Sequence, residues 1–267
     1  MRRHVESSLS VTVLQSADVV LSLALAGNLP RESESLTVTL DGAPLQVTEI
    51  VAEDGLTRLH LIEGIPAGRL EVRYDAVVDG RAEPVPVTPL DRIVYTRPSR
   101  YADSDTMAPV AQAQFAGLAG KDLLDAVSSW VGSQLSYVSG SSRPTDGAVQ
   151  TYLMREGVCR DYAHLCVALL RALNVPARLA SVYAPGLNPM DFHAVAEAVV
   201  DDRWCSVDAT ALAPRSTMVR IATGRDAADT SFMTTLSGVA NLETMQVGAV
   251  VEDGLPGDDV TELAQLR

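Results

Sequence analysis

Three residues that are far apart in the sequence carry the side chains of a nucleophile, a general base and an orienting carboxylate. Cys159 opens a long apolar segment, His193 lies in an alternating segment further along, and Asp208 follows a second alternating segment. An imidazole that takes the proton of a thiol, and is held in place by a carboxylate, is suited to acyl transfer through a covalent intermediate. The order Cys, His, Asp therefore predicts a thiol-based reaction site.

The segment that begins at Cys159 predicts a buried helix. It contains almost no helix breaker before Asn174, and its apolar residues fall on every side, which is typical of a helix buried all round. Cys159 would lie in the first turn, where unpaired N–H groups and the helix dipole favour an anion. That position stabilises the reactive thiolate. The alternative interpretation is a cysteine that packs only as a small hydrophobic residue.

The segment 192–207 predicts a β-hairpin. Apolar and other residues alternate from Phe192 to Val200, Asp201 and Asp202 form a short polar turn, and the chain returns through 203–207. The predicted hairpin places the imidazole and the carboxylate on neighbouring strands.

The turn sets the register of this hairpin. If it is centred between Asp201 and Asp202, Asp208 lies opposite Val195, and His193 is its diagonal neighbour on the same face. Diagonal neighbours are about 7–8 Å apart at the backbone, within reach of a side-chain hydrogen bond. A turn one residue longer would place the two side chains on opposite faces.

These segments resemble the transglutaminase-like superfamily, whose core is similar to papain-type thiol enzymes. The resemblance rests on GVCRDYAHL at 157–165, ALLRALNVPAR at 168–178, DFHAVAE at 191–197 and RWCSVDAT at 203–210, and it covers about 101–251. It implies that Cys159 is the nucleophile, His193 the general base and then acid, and Asp208 the orienting carboxylate. Val195 departs from the pattern, because the family often carries Trp there.

The sequence predicts an α+β fold in two parts. Residues 1–82 contain short alternating runs separated by turn residues, which indicates an antiparallel β-sandwich. This region resembles the β-rich part that precedes the catalytic core in bacterial transglutaminase-like proteins. A proline-rich linker at 83–100, read as stiff and extended, leads to a papain-like α+β core at 101–251 and an acidic tail at 252–267, expected to be mobile or weakly helical.

Within the core, helical periodicity predicts helices at 110–118, 121–135 and 147–155. The loop that begins at Tyr137 is placed to form a wall of the cleft. Either a polar group from this loop helps the Cys159 N–H to bind an oxyanion, or the loop is purely structural. Strands are predicted at 218–222 and 245–251. The charged cluster at 224–229 either lines the cleft or caps a helix, and we favour the cap.

Other polar residues of the buried segment receive structural predictions. Cys159, His164 and Cys166 do not have the spacing of a zinc site, so we expect no metal and no cofactor. His164 is turned away from Cys159 along the helix. Asp161 is expected to stabilise the helix end. Arg171 and Arg178 are expected to pair with buried or interfacial carboxylates.

Composition limits the partners and the compartment. The 267 residues have a net charge of −13, which argues against nucleic acid or an anionic membrane as partner. No apolar run reaches the ~20 residues of a membrane span, and the apolar stretch 19–26 is too short and too late for a signal peptide. There are three cysteines, and two of them, Cys159 and Cys166, lie about 10.5 Å apart along a helix, too far to bridge. We therefore expect a reduced, cytoplasmic setting.

The predicted function is a thiol enzyme that forms an acyl intermediate on Cys159 from a peptide or protein amide. Hydrolysis, as a peptidase or amidase, is expected ahead of amine transfer because water needs no dedicated amine site. The alternative is a catalytically silent peptide-binding adaptor, which predicts loss of Cys159, His193 or Asp208. Acyl transfer from an acyl-CoA to an aromatic amine is a third possibility. The sequence does not indicate an oligomeric state.

Overall fold

A computed structural model describes the whole chain, Met1 to Arg267. The strands are β1 (Arg2–Leu21), β2 (Arg31–Leu40), β3 (Ala43–Pro44), β4 (Thr48–Val51), β5 (Arg58–Ile65), β6 (Gly68–Asp79), β7 (Ser136–Tyr137), β8 (Glu156–Gly157), β9 (Ala177–Tyr183), β10 (Phe192–Val200), β11 (Arg203–Val207), β12 (Val219–Gly224) and β13 (Met233–Val251). The helices are α1 (Pro89–Val94), α2 (Ser104–Phe115), α3 (Gly120–Gln134), α4 (Ala148–Met154), α5 (Cys159–Ala172) and α6 (Ala227–Thr230). None of these helices has both the length and the apolar character needed to cross a membrane.

The N-terminal strands form a seven-stranded antiparallel sheet in the order β3-β2-β6-β1-β5-β4, with β13 on the other side of β1. Strand β1 pairs first with β6 and then with β5, and the register shifts several times along it. Such bulges bend a strand, so the sheet curls around its own apolar core. The predicted last strand at 245–251 starts earlier, at Met233, and belongs to this first sheet.

The second sheet has four antiparallel strands in the order β11-β10-β9-β12. Helix α5 lies against β10 and β9, and helices α2, α3 and α4 pack around it. Every residue of α5 from Asp161 to Arg171 is buried, which confirms a helix enclosed on all sides. The α+β fold class predicted from the sequence is confirmed.

One face of the four-stranded sheet contributes side chains to two apolar cores. Ala196 and Ala198 of β10 belong to the core shared with α5, whereas Tyr183 and Ile221, on β9 and β12, belong to the core of the seven-stranded sheet. The space between the start of α5 and the first sheet is therefore bounded by both parts of the chain. The site described below lies there.

The 192–207 hairpin has the predicted register. Ala196 pairs with Val207 and Val200 with Arg203, so the turn consists of Asp201 and Asp202 alone. Both aspartates have positive φ angles, 50° and 58°, as a two-residue hairpin turn that follows the natural twist of the strands requires. Aspartate tolerates this left-handed region better than most residues.

The proline-rich segment is not extended throughout, because it contains helix α1. Pro89 is its first residue, where a missing N–H costs nothing. The Thr88 hydroxyl accepts a hydrogen bond from the Asp91 N–H, and the Asp91 carboxylate accepts one from the Thr88 N–H. This capping box starts a helix inside a segment in which the proline content alone indicates an extended chain.

The acidic C-terminal segment contacts the core at several points. The Arg215 guanidinium donates to the Asp258 carboxylate and to the carbonyl oxygens of Asp259 and Glu262. The Ser206 N–H donates to the Ala264 carbonyl at 2.7 Å. A single buried arginine thus collects acceptors from the segment, a long-range contact that leaves no local pattern in the sequence.

Candidate thiol site

Cys159 is the first residue of α5 and is half-buried. The Asp161 carboxylate accepts hydrogen bonds from the Val158 N–H at 2.8 Å and from the Ser142 hydroxyl at 2.9 Å. A Cβ at Gly157 would lie 2.7 Å from the Asp161 side chain, so only glycine allows this close approach. Asp161 therefore holds the start of the helix, as predicted, and fixes the position of the thiol.

His193 and Asp208 are both buried and in contact. The His193 Nε2 atom lies 3.1 Å from the Asp208 Oδ2 atom. The other oxygen, Oδ1, accepts hydrogen bonds from the N–H and the hydroxyl of Thr210 at 2.9 and 2.6 Å. The carboxylate is thereby fixed on both oxygens and sets the orientation of the imidazole.

The Cys159 thiol lies beside the same imidazole. His193 Nδ1 is buried and has no hydrogen-bond partner within normal limits, whereas Cys159 is close enough to act on the ring as a side-chain hydrogen-bonding group. The Cys159 Sγ atom is 4.0 Å from the Phe192 carbonyl oxygen, on the residue before the histidine. The structure thus brings the three predicted residues together, with one ring nitrogen for the carboxylate and the other left for the thiol.

The electrostatics of the pair favour a charged imidazole. Burial disfavours the imidazolium, but the hydrogen bond to Asp208 and the neighbouring Cys159 thiol outweigh burial and raise the pKa of His193 to about 10. Burial would raise the pKa of Asp208, but the hydrogen bond and charge of His193 and the bonds from Thr210 lower it below its usual value. At neutral pH an imidazolium therefore lies between a carboxylate and the thiol.

A cavity of about 470 Å³ opens in front of Cys159 and His193. This volume falls in the range of small-ligand sites, roughly 300–1,000 Å³. Its lining includes both apolar and charged side chains: Leu179, Phe192, Ile221, Phe232, Met245, Arg100, Arg160 and Asp191. The first sheet thus forms part of the wall through Met245, which lies on β13, a strand that the sequence analysis assigned to the core and the structure places beside β1.

Tyr137 lies beside the start of α5. Strand β7 pairs in parallel with β8, which places Tyr137 next to Gly157, and the Tyr137 and Tyr162 ring centroids are 6.0 Å apart. Burial and the nearby Cys159 raise the pKa of Tyr137 to about 12. The residue predicted to form a wall of the cleft therefore lies near the thiol but does not line the cavity.

The remaining histidine and cysteines of this region have structural roles. The His164 Nε2 atom accepts a hydrogen bond from the Ala227 N–H, and its ring stacks on Tyr101. Burial lowers the pKa of His164 to about 3, so it is neutral at working pH. Cys166 and Cys205 are buried, and burial raises the pKa of both thiols.

The charged cluster at 224–229 also has structural contacts. The Asp226 carboxylate accepts hydrogen bonds from the Ala228 N–H at the start of α6 and from the Tyr101 N–H. Arg225 pairs with Asp229. These contacts are those of the helix cap that we favoured.

The two predicted structural arginines differ. Arg178 pairs with the buried carboxylate of Glu197, as predicted, and Arg220 binds the same carboxylate through two hydrogen bonds. Arg171 donates to three backbone carbonyls and to the Ser99 hydroxyl, so its expected carboxylate partner was wrong. Carbonyl oxygens satisfy a buried guanidinium without an opposite charge, and the sequence does not distinguish the two solutions.

Val195, at the position where a tryptophan is frequent, is buried in a small apolar cluster with Ala180, Val182 and Met218. It does not line the cavity. Valine in place of tryptophan at position 195 therefore affects the packing of the buried cluster next to His193. It does not change which side chains line the cavity.

The fold and the site define an α+β protein in which a helix-terminal thiol, an imidazole and a carboxylate meet beside one cavity. Residues 111–209 match the family model of the transglutaminase-like superfamily. A solved structure of a proposed cysteine protease from Cytophaga hutchinsonii is 31% identical in sequence and superposes with a TM-score of 0.88, covering 97% of this chain and 93% of that one. The chain belongs to the transglutaminase-like superfamily.

Two further relatives are more distant. The periplasmic domain of TgpA from Pseudomonas aeruginosa, solved with ethylmercury, is 20% identical, with a TM-score of 0.40, over 74% of this chain and 91% of that one. The uncharacterized Mycobacterium leprae protein ML0607 is 33% identical over 58 residues, and this match spans 21% of that protein. The superfamily and the Cytophaga relative point to a thiol enzyme.

Proposed function

We propose that this protein hydrolyses an amide bond of a peptide or protein through an acyl intermediate on Cys159. The observation that carries the proposal is the contact of His193 with both partners, Asp208 on Nε2 and the Cys159 thiol beside the ring, at the edge of a ligand-sized cavity. A nucleophile and a base in this relation, with a third group that orients the base, are the parts required for covalent acyl transfer.

In the proposed reaction the Cys159 thiolate attacks the amide carbon, and the electron pair of the C=O bond moves to oxygen. When the tetrahedral intermediate collapses, the C–N bond breaks and the His193 imidazolium gives its proton to the leaving amine. Water then attacks the thioester, with the now neutral His193 as base, and releases the acid and the thiol. Asp208 keeps the ring oriented throughout and stabilises its charged form.

The cavity supports a polypeptide as the source of the amide. Its apolar lining at Leu179, Ile221 and Phe232 suits a hydrophobic side chain. The Cytophaga relative, described as a proposed cysteine protease, supports the same substrate class.

The decisive experiment is a panel of peptides, with and without internal glutamine, incubated with and without an added primary amine. Hydrolysis of the main chain yields new amino termini, hydrolysis of a glutamine side chain yields ammonia, and amine transfer yields a mass increase that depends on the amine. We expect one of the two hydrolytic products, and we expect Cys159→Ala to abolish it.

Cys205→Ala is the matched control, since Cys205 is buried and lies outside the cavity lining. Turnover retained in Cys159→Ala would contradict the proposal. Peptide binding that is equal in the wild type and in Cys159→Ala, with no product in either, would identify the adaptor instead.

A further inference from the structure

Strand β13 leaves one of its two edges unpaired. It pairs with β1 and with no other strand, so the N–H and C=O groups that point away from β1 have no partner in the sheet. Its last part pairs with β1 in an unbroken register, from Thr244 opposite Ser10 to Val251 opposite Arg3. The segment 244–251 therefore presents a regular open edge without a bulge.

This edge lacks the features that usually protect an open strand. Short strands, charged residues and proline discourage pairing with another chain, and the other edges of the sheet have them. Strand β4 is only four residues long, and the open part of β2 carries Arg31, Glu32 and Glu34. By contrast, 244–251 contains no charged residue and no proline, and Ala249 is its one buried residue. An edge of this kind is suited to binding a further strand.

The open edge borders the cavity of the thiol site. Met245 lies in the segment and lines the cavity together with Cys159 and His193. A strand added to β13 would lie about 4.8 Å from it. Residues directly opposite each other in a strand pair point their side chains to the same face. The residue opposite Met245 would therefore direct its side chain toward the cavity.

A second cavity, of about 710 Å³, borders the same segment. Its lining includes 245–248, so Met245 belongs to both cavities. Met190 lines this second cavity, and the next residue, Asp191, lines the first. Polar side chains of β1, β2 and β6 also line the second cavity: Ser8, Thr37, Arg73 and Asp75. A chain bound along the edge would thus pass from the apolar thiol cavity to a polar one.

An extended polypeptide is the ligand that matches this edge. Its main chain carries the same row of N–H and C=O groups, and addition of a strand to an open edge is a recurring way to bind peptides. A second copy of β13 offers the same groups. The position of Met245 in the wall of the thiol cavity favours the substrate, because the substrate must reach Cys159 and a second copy need not.

We infer that 244–251 binds the polypeptide substrate as an added β-strand, with one substrate side chain directed into the thiol cavity. This inference rests on the proposed function. It narrows the substrate class to chain segments that are extended and free of other main-chain pairing, such as termini and unfolded loops. Helical segments are excluded, because their main-chain groups are already bonded within the helix.

The test uses a peptide that becomes attached to the thiol. A valine-threonine-valine-leucine chloromethyl ketone, acetylated at its N-terminus, forms a C–S bond with Cys159 as chloride leaves. Hydrogen exchange followed by mass spectrometry then reports which amides the peptide covers. We expect amides of 244–251 to exchange about tenfold more slowly, or slower still, in this adduct than in the iodoacetamide adduct. The iodoacetamide adduct is the matched control, because it modifies the same sulfur and carries no peptide. Amides of 31–38 on β2 should not change.

Two further reagents carry N-methyl groups at alternate residues of the same peptide. Because alternate residues of an added strand donate to β13, one of the two should alkylate Cys159 about tenfold more slowly and the other should not. Equal rates for the two reagents would overturn the inference, and so would unchanged exchange in 244–251.

Protection of 244–251 that grows with protein concentration in the absence of reagent would show a second copy on the edge and would also overturn the inference. Failure of the inference is separable from failure of the proposed function. If iodoacetamide modifies Cys159 and the peptide reagent does not, or leaves 244–251 unprotected, the inference alone fails. If neither reagent modifies Cys159, the thiol is not reactive and the proposed function fails with it.

Discussion

The Asp208 carboxylate contacts His193 Nε2 across a hairpin whose turn contains only Asp201 and Asp202. Because side chains alternate between the faces of a strand, the length of that turn decides whether the two residues meet. The turn lies at the far end of the hairpin from the thiol, yet it controls the orientation of the imidazole. The geometry of the candidate site is therefore encoded partly in a surface loop.

Insertion of one glycine between Asp201 and Asp202 should remove the contact between Asp208 and His193. The longer turn shifts one strand by a residue and places the two side chains on opposite faces. We expect iodoacetamide to alkylate Cys159 more slowly at pH 6 in this variant than in the wild type. Mass spectrometry measures the two rates. Asp202→Gly is the control, because it keeps the turn at two residues and relieves a positive φ of 58°. This variant should preserve the alkylation rate and raise the free energy of unfolding by up to about 1 kcal/mol. Rapid alkylation of the insertion variant would contradict the role of the register.

Much of this site follows from the sequence because its parts are local. The helix from Cys159 is marked by continuous apolar residues, and the hairpin by strict alternation around an Asp-Asp turn. These two elements fix the order and the spacing of Cys159, His193 and Asp208 before any tertiary contact is known.

The rest depends on contacts between distant segments. Strand β13 joins β1 across almost the whole chain, and Met245 thereby reaches the cavity. Arg215 binds the C-terminal segment through carbonyl oxygens, which every residue possesses. Neither arrangement has a periodicity or a motif of its own, so neither could be read from the sequence.

Alkylation of the native protein at pH 6 should modify one cysteine, Cys159. Cys166 and Cys205 are buried, and burial raises the pKa of both thiols, which keeps them protonated and inaccessible. Peptide mapping after brief exposure to iodoacetamide measures this directly. Modification of Cys166 or Cys205 at a rate equal to that of Cys159 would show that the thiol at the helix start is not activated.

His193→Ala should slow that alkylation at pH 6. The raised pKa of His193, about 10, keeps the ring protonated at this pH, and the imidazolium favours the thiolate beside it. This advantage disappears at high pH, because His193 loses its proton as the pH rises through about 10. We expect the rates of the wild type and the variant to converge there. A constant ratio between pH 6 and pH 10 would argue against an ion pair.

Asp208→Asn should lower turnover more than stability. The amide retains the shape of the carboxylate and an oxygen that can accept from Thr210, but it no longer stabilises the imidazolium. We expect turnover of the substrate found in the peptide panel to fall by about 100-fold or more, while the melting temperature changes little. Asp258→Asn, which weakens the pairing of Arg215 at the tail, is the control and should lower stability without a matching fall in turnover. The opposite result would make Asp208 a structural residue.

Glu197→Gln should destabilise the fold in a pH-dependent manner. Glu197 is fully buried between Arg178 and Arg220, and loss of one partner of a buried ion pair costs about 3–5 kcal/mol because it leaves charge uncompensated. Burial would raise the pKa of Glu197, but the two arginines lower it to about 2. A depressed folded-state pKa means that the stabilising contribution is complete above the unfolded value, about 4.3, and is lost as the pH falls through about 2. Urea unfolding of both proteins should show a large difference in the free energy of unfolding at pH 7 that shrinks steadily below pH 4. A difference that is independent of pH would mean that the charge of Glu197 is not the source of its stabilising contacts with β9 and β12.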